Sequence, residues 1–284
     1  MKQHFIACLL TCLLLTPGII QAQRSDETAS GLQFGLNFGY YSPSKYTANF
    51  YNGSAGNLNN ANWVVSNKYL YQQIYDTLLA TDTVLLSGLP SNMHYKISMM
   101  PGIYAQYTLN KQYAICISIN YMKLVAQDAI TFEVDPKTYN TNPDLRMFTI
   151  IGQEQRVYID LGIKRFFKIS DKTELFAIGG LNMNDTKVIK SSFFVGKTEY
   201  SMINTYGNVN YVPNSNIQSF NITEGGIGFG LYLSGGATFH FGNITFEPGF
   251  NAHYINVHLN GYEKFSPGGG LYIRFILNNL FSTD

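Results

Sequence analysis

The chain has 284 residues, of which 13% are charged and 15% aromatic, and it includes 26 glycines. An average soluble domain is roughly 25% charged, so the composition favours strands with one side against an apolar medium. The 19 basic and 18 acidic residues nearly cancel, which argues against nucleic acid as a partner.

The first 22 residues predict a cleaved secretory signal peptide. Lys2 supplies the positive end, Phe5 to Leu15 form an apolar run, and Ala22 precedes the expected cleavage site. This run is shorter than the ~18 residues of a spanning helix, and no later stretch comes close to that length. Only Cys116 remains after cleavage, so no disulfide framework is expected.

Residues 23–284 predict one domain built from strands. Side chains alternate between apolar and small or polar types, which places successive residues on opposite faces of a sheet. The fifth predicted run is ambiguous, because apolar residues and glycines fall on both of its faces. In chain order the runs are Leu32–Tyr41, Tyr95–Leu109, Tyr113–Tyr121, Arg156–Lys164, Leu175–Asn182, Gly226–Phe241, Ile244–Tyr254 and Gly270–Leu277.

Short and long connections alternate between these runs. The short turns are near 110–112, 170–173 and 242–243, and the long connections are 43–94, 124–153, 184–224 and 256–267. This arrangement is typical of transmembrane barrels, with turns in the periplasm and loops outside. The pattern predicts an all-β, transmembrane antiparallel up-and-down β-barrel of about eight strands, with ten as the alternative, in the cell outer membrane.

The apolar face is expected to contact lipid. It is bulky, whereas the other face is crowded with Gly, Ser, Thr and Asn, which suits a narrow lumen; a soluble barrel would have the opposite polarity. Tyr95 and Tyr107 are predicted to mark the two aromatic girdles, because twelve tilted residues cover about 30 Å.

A set of charged residues falls on the lumen face and is predicted to form a structural polar network. The interior of an eight-stranded barrel is only wide enough for its own side chains, so these groups should fill it, and a general porin is excluded. The set is Lys96, Arg156, Asp160, Lys164, Glu247, His253 and Arg274.

The long first outer loop, 43–94, predicts a helix over Ser66–Ala80, with Ser66 as its N-cap. The helix either caps the barrel mouth or docks another outer-membrane protein or complex; the width of its apolar stripe slightly favours docking. The second candidate for docking is the Tyr- and Asn-rich loop 184–224. The candidate docking residues of the helix are Leu70, Tyr71, Ile74, Tyr75 and Leu78.

The sequence predicts neither catalytic residues nor a metal or cofactor site. No Gly-x-Ser-x-Gly or His-Glu-x-x-His motif occurs, and His94 and His258 are the only histidines expected near the outer rim. Three hypotheses remain open: a partner-binding or accessory barrel of an envelope complex, a transporter of a small or hydrophobic ligand, and a surface enzyme.

Two segments resemble a known group of proteins. Gly31–Tyr41 and Gly268–Leu277, both Gly-rich and alternating, are similar to small outer-membrane barrels of Bacteroidota, namely the PorT-like family and the general outer membrane protein beta-barrel group. The resemblance implies an eight- to ten-stranded outer-membrane barrel and, for PorT-like members, a link to type IX secretion. It assigns no functional residue.

Overall fold

A computed structural model describes residues 31–57, 60–136, 142–170, 172–206, 209–211, 224–242 and 244–277. The predicted signal peptide, residues 1–22, lies outside the described residues. So do parts of the predicted loop 184–224, and one residue in each of the predicted turns 170–173 and 242–243.

The described residues contain twelve strands. They are β1 (Leu32–Ser42), β2 (Val84–Gly88), β3 (Ser98–Thr108), β4 (Tyr113–Val134), β5 (Asp144–Lys168), β6 (Thr173–Val195), β7 (Thr198–Ser201), β8 (Asn204–Tyr206), β9 (Val209–Tyr211), β10 (Gly225–Phe241), β11 (Ile244–Ile255) and β12 (Ser266–Leu277).

Eight of these strands close into an antiparallel ring: β1, β3, β4, β5, β6, β10, β11 and β12. Each pairs with the next in this order, and the register closes on β1, where Leu36 lies opposite Ile103 of β3 and Phe275 of β12. The up-and-down barrel predicted from the sequence is confirmed, with eight strands in the ring rather than ten.

The connection between β1 and β2 contains three short helices. They are α1 (Lys45–Ala48), α2 (Ala61–Ser66) and α3 (Lys68–Leu78), with a 3-10 turn at Asn49–Tyr51. The predicted N-cap is wrong by one residue: Ser66 ends α2, and Asn67 Oδ1 accepts hydrogen bonds from the backbone N–H groups of Tyr69 and Leu70 at the start of α3. Among the described residues, no helix has the length and apolarity to cross a bilayer.

Strands β4, β5 and β6 are much longer than a membrane crossing requires. They have 22, 25 and 23 residues, whereas a tilted transmembrane strand needs roughly 9–11. The predicted connection 124–153 is therefore wrong, because β4 continues to Val134 and β5 begins at Asp144. Likewise β6 continues to Val195, into the predicted loop 184–224.

The protruding parts of these strands form what we call the outer sheet. It consists of β4 after Tyr121, β5 before Val157 and β6 after Met183, with β2 added at the β4 edge and β7 at the β6 edge. It stands on the side of the barrel that carries the long connections, which in barrels of this type is the outer side.

Side-chain polarity inverts where β4 leaves the barrel. Up to Tyr121 the outward residues are apolar, and the inward ones, such as Ser118 and Asn120, are polar. Beyond Tyr121 the outward positions include Lys123 and Gln127, and the inward ones, apart from Asp128, are buried and apolar. The buried apolar set on β4 is Met122, Leu124, Ala126, Ile130, Phe132 and Val134. This inversion places the outer edge of the membrane at Tyr121.

Candidate functional site

The barrel exterior carries an apolar belt. Each of the eight barrel strands contributes at least one outward aliphatic or aromatic side chain that is about half exposed. One example per strand is Leu36, Ile103, Ile115, Leu161, Leu181, Leu231, Phe250 and Ile273. Soluble monomers rarely expose a contiguous apolar surface of this extent, so the belt is the surface that contacts lipid.

Six of the seven residues predicted for the lumen lie there: Arg156, Asp160, Lys164, Glu247, His253 and Arg274 are each at most 2% exposed. Lys96 does not; it is exposed, and its Nζ donates to Gln127 Oε1 at 2.6 Å.

The misplacement of Lys96 has a local cause in the chain before β3. Tyr95 forms an isolated bridge with Ala126 and turns inward, while both Lys96 and Ile97 lie outside, so the alternation slips by one residue. The girdle predicted at Tyr95 is therefore also wrong. The buried Tyr95 hydroxyl accepts a hydrogen bond from Arg156 at 3.3 Å.

The lower part of the lumen is organised around Glu247. Its carboxylate pairs with Lys164 Nζ and with Arg274 Nη1, the latter at 3.0 Å, and accepts from Thr238 Oγ1 at 3.0 Å. The Arg274 guanidinium also lies 3.5 Å from the centre of the Tyr104 ring. One acid thus compensates two buried cations.

Asp160 organises the middle of the lumen. It accepts from Asn182 Nδ2 at 2.7 Å and lies 3.1 Å from His253 Nε2. The His253 ring stacks on Tyr232 with the centroids 5.2 Å apart, and its Nδ1 has no hydrogen-bond partner among the described residues.

The upper part of the lumen fastens the first outer loop to the barrel. Arg156 Nη2 lies 2.5 Å from Glu154 Oε1, whose other oxygen accepts from Tyr51 OH at 2.5 Å. Arg156 also donates to Thr47 Oγ1 at 3.1 Å. The sequence pattern did not single out Glu154, because this residue lies between the predicted connection 124–153 and the predicted run that begins at Arg156.

These side chains fill the interior. In the three clusters just described, three basic groups (Arg156, Lys164 and Arg274) accompany three acidic ones (Glu154, Asp160 and Glu247), so the formal charges of these clusters balance. The remaining space beside Asp160 is about the size of one water molecule. No group of three potential metal ligands occurs within the described ranges.

The apolar stripe of α3 is not available for docking, which corrects the slight preference drawn from the sequence. Ile74 and Leu78 are buried, and Leu70, Tyr71 and Tyr75 are partly buried against the same core. That core includes Phe132 and Phe193 of the outer sheet. The inverted polarity of the sheet supplies the apolar partner surface, so the helix covers the sheet.

A carboxylate ties α3 and β2 to the end of β4. Asp135 accepts hydrogen bonds from the backbone N–H groups of Thr81, Asp82 and Thr83, at 2.7–3.1 Å. Led by these backbone hydrogen bonds, the interactions lower the pKa of Asp135 from 3.8 to about 2.

A lowered carboxyl pKa stabilises the fold above the unfolded-state value, and this contribution disappears as the pH falls through the folded value. We therefore expect pepsin cleavage at Leu85–Leu86 to accelerate between about pH 4 and about pH 2. In the Asp135→Asn variant, cleavage at about pH 4 should be faster than in the unmodified protein, and the rate should increase less between about pH 4 and about pH 2. Equal acceleration in both proteins would contradict this role of Asp135.

The closed ring, the lipid-facing belt and the polar, filled lumen define the class of this protein. It is a transmembrane β-barrel, and barrels of this type reside in the outer membrane. No protein-family model and no curated protein matches the chain.

The solved structures to which the chain is similar include two outer-membrane β-barrel proteins. One is Neisserial surface protein A, with 11% identity, a TM-score of 0.41, and coverage of 89% of this chain and 99% of that one. The other is Ail, the attachment invasion locus protein of Yersinia pestis, with 10% identity, a TM-score of 0.34, and coverage of 87% and 97%; it was solved with a heparin analogue. Both likenesses are distant, and the class rests on the barrel's own surface.

Proposed function

We propose that this barrel is a non-enzymatic subunit of an envelope complex, and that it holds its outer sheet above the membrane to bind a protein partner. One observation carries the proposal. The outer sheet exposes apolar side chains far from lipid, at Leu85, Leu145 and Met147, which we call the outer patch.

The apolar residues of the outer patch lie on β2 and β5, on either side of β4. Leu85 and Leu145 lie on either side of Glu133, and Met147 lies opposite Thr131 in the next outward row. Twelve residues separate Tyr121 from Glu133, which for a tilted strand is about 30 Å. Lipid cannot cover the patch at that height, and exposed apolar clusters in water mark protein interfaces.

The filled lumen argues for binding rather than transport. Buried ion pairs and aromatic rings close the barrel interior, so a solute has no open path beside the described side chains. The resemblance to PorT-like barrels adds a secretion machine of the envelope, of the type IX class, as a candidate partner.

The buried histidine does not support catalysis. His253 and Asp160 form the base and acid of a potential triad, but no hydroxyl or thiol partner lies on His253 Nδ1 among the described residues. His94 and His258 are both exposed. The function that we propose therefore does not include catalysis.

Photo-crosslinking in native membranes tests the proposal. With a benzophenone amino acid at Met147, which is 74% exposed, we expect one discrete adduct with a second protein. The same group at Tyr69, which is 81% exposed on α3, is the matched control and should give no such band.

A second change identifies the patch itself as the binding surface. Leu145→Asp, made together with the probe at Met147, should remove the adduct, because it replaces an apolar contact two residues from the probe with a second carboxylate beside Glu133. The proposal fails if no discrete adduct forms, if Tyr69 yields the same band, or if Leu145→Asp leaves the adduct unchanged.

A further inference from the structure

The outer surface carries a row of cationic and amide side chains just above the apolar belt. Strand register places Lys123 of β4 opposite Gln155 of β5, and Gln155 opposite Lys187 of β6. We call these three residues the phosphate row. All three point outward, one outward position above Tyr121 and Val157, where the belt ends.

The two lysines of the phosphate row are without partners. Neither side-chain ammonium group makes a hydrogen bond or ion pair with any residue that the structure describes, whereas the Lys96 and Lys190 ammonium groups contact Gln127 and Glu199. Asp185 lies one outward position below Lys187 on β6, and these three charges together leave a net charge of +1.

The spacing of the row fits a single phosphate group. Adjacent strands lie about 4.8 Å apart, so the Cα atoms of Lys123 and Lys187 are about 10 Å apart across Gln155. Two flexible ammonium groups can therefore converge on one phosphate, and the Gln155 amide can donate to it.

We propose that the phosphate row binds the phosphate of a lipid headgroup in the outer leaflet. Its position argues for a lipid rather than a free anion, because the row lies at headgroup depth directly above the belt. The site would attach a phosphorylated glycolipid or phospholipid to this side of the barrel. The inference rests on the membrane orientation of the barrel and not on the proposed protein partner.

Native mass spectrometry of the full chain in neutral detergent tests the site. The probes are bis-phosphorylated lipid A, the same lipid with its phosphates removed, and inorganic phosphate. We expect adducts with the phosphorylated lipid only, and a loss of about tenfold or more in affinity for Lys123→Gln/Lys187→Gln, since hydrogen bonds to charged groups are the strong ones.

The matched control is Lys68→Gln/Lys197→Gln, which removes two exposed charges far above the belt. It should retain the affinity of the unmodified protein. The proposal is overturned if both double variants bind equally, if the dephosphorylated lipid binds as well, or if inorganic phosphate displaces the lipid at equal concentration.

Discussion

Glu247→Gln should destabilise the barrel by about 3–5 kcal/mol, because removing one member of a buried ion pair leaves uncompensated charge. Glu247 is fully buried between Lys164 and Arg274. The free energy of unfolding can be measured by urea titration in detergent, following the slower migration of the unfolded form on a cold gel.

Two further variants separate charge compensation from a general effect of substitution. Glu199→Gln breaks the partly exposed ion pair with Lys190 and should cost less than about 1 kcal/mol. Adding Lys164→Met to Glu247→Gln removes one of the two unpaired cations and should recover part of the lost stability. A double variant that is less stable than Glu247→Gln alone would contradict the compensation argument.

Ile74→Asp should detach the first outer loop from the outer sheet. Ile74 is fully buried in the core between α3 and the sheet. Truncation of such a residue to alanine costs roughly 2–5 kcal/mol, and a buried carboxylate adds desolvation to that cost. We expect trypsin to cleave rapidly after Lys68, while the closed barrel still shows the gel migration of the folded form.

Gln73→Asp is the control for this variant, because it places the same charge on the neighbouring, exposed position of α3. Cleavage after Lys68 should then stay at the rate of the unmodified protein. Equal cleavage in both variants would show that the helix does not depend on its packing against the outer sheet.

The membrane part of the barrel could be predicted from the sequence because alternation there is regular. The outer sheet was missed for a specific reason. Apolar side chains occupy odd positions from Ile115 to Tyr121 and, except for Asp128, even positions from Met122 to Val134. This change of face looks like the end of a strand, although it marks the passage of one strand from lipid into water.

Two other outcomes depend on tertiary structure. The alternation of inward and outward side chains shifts by one residue between Tyr95 and Ser98, and this shift places Lys96 outside. It arises from the isolated bridge between Tyr95 and Ala126, and nothing in the local sequence indicates it. The stripe around Ile74 does indicate an apolar face on α3. The sequence does not show what covers the apolar face of α3, because the covering surface is the apolar inward side of the outer sheet, which was assigned to loops.

The central claim is that outward side chains face lipid on the barrel and water on the outer sheet. Spin labels at Leu231→Cys and Met147→Cys, in a Cys116→Ala background, compare two exposed outward positions on either side of the proposed boundary. After reconstitution in bilayers, the label at 231 should be relaxed mainly by oxygen and the label at 147 mainly by a water-soluble nickel chelate. Relaxation of both labels by the chelate to the same extent would contradict the account.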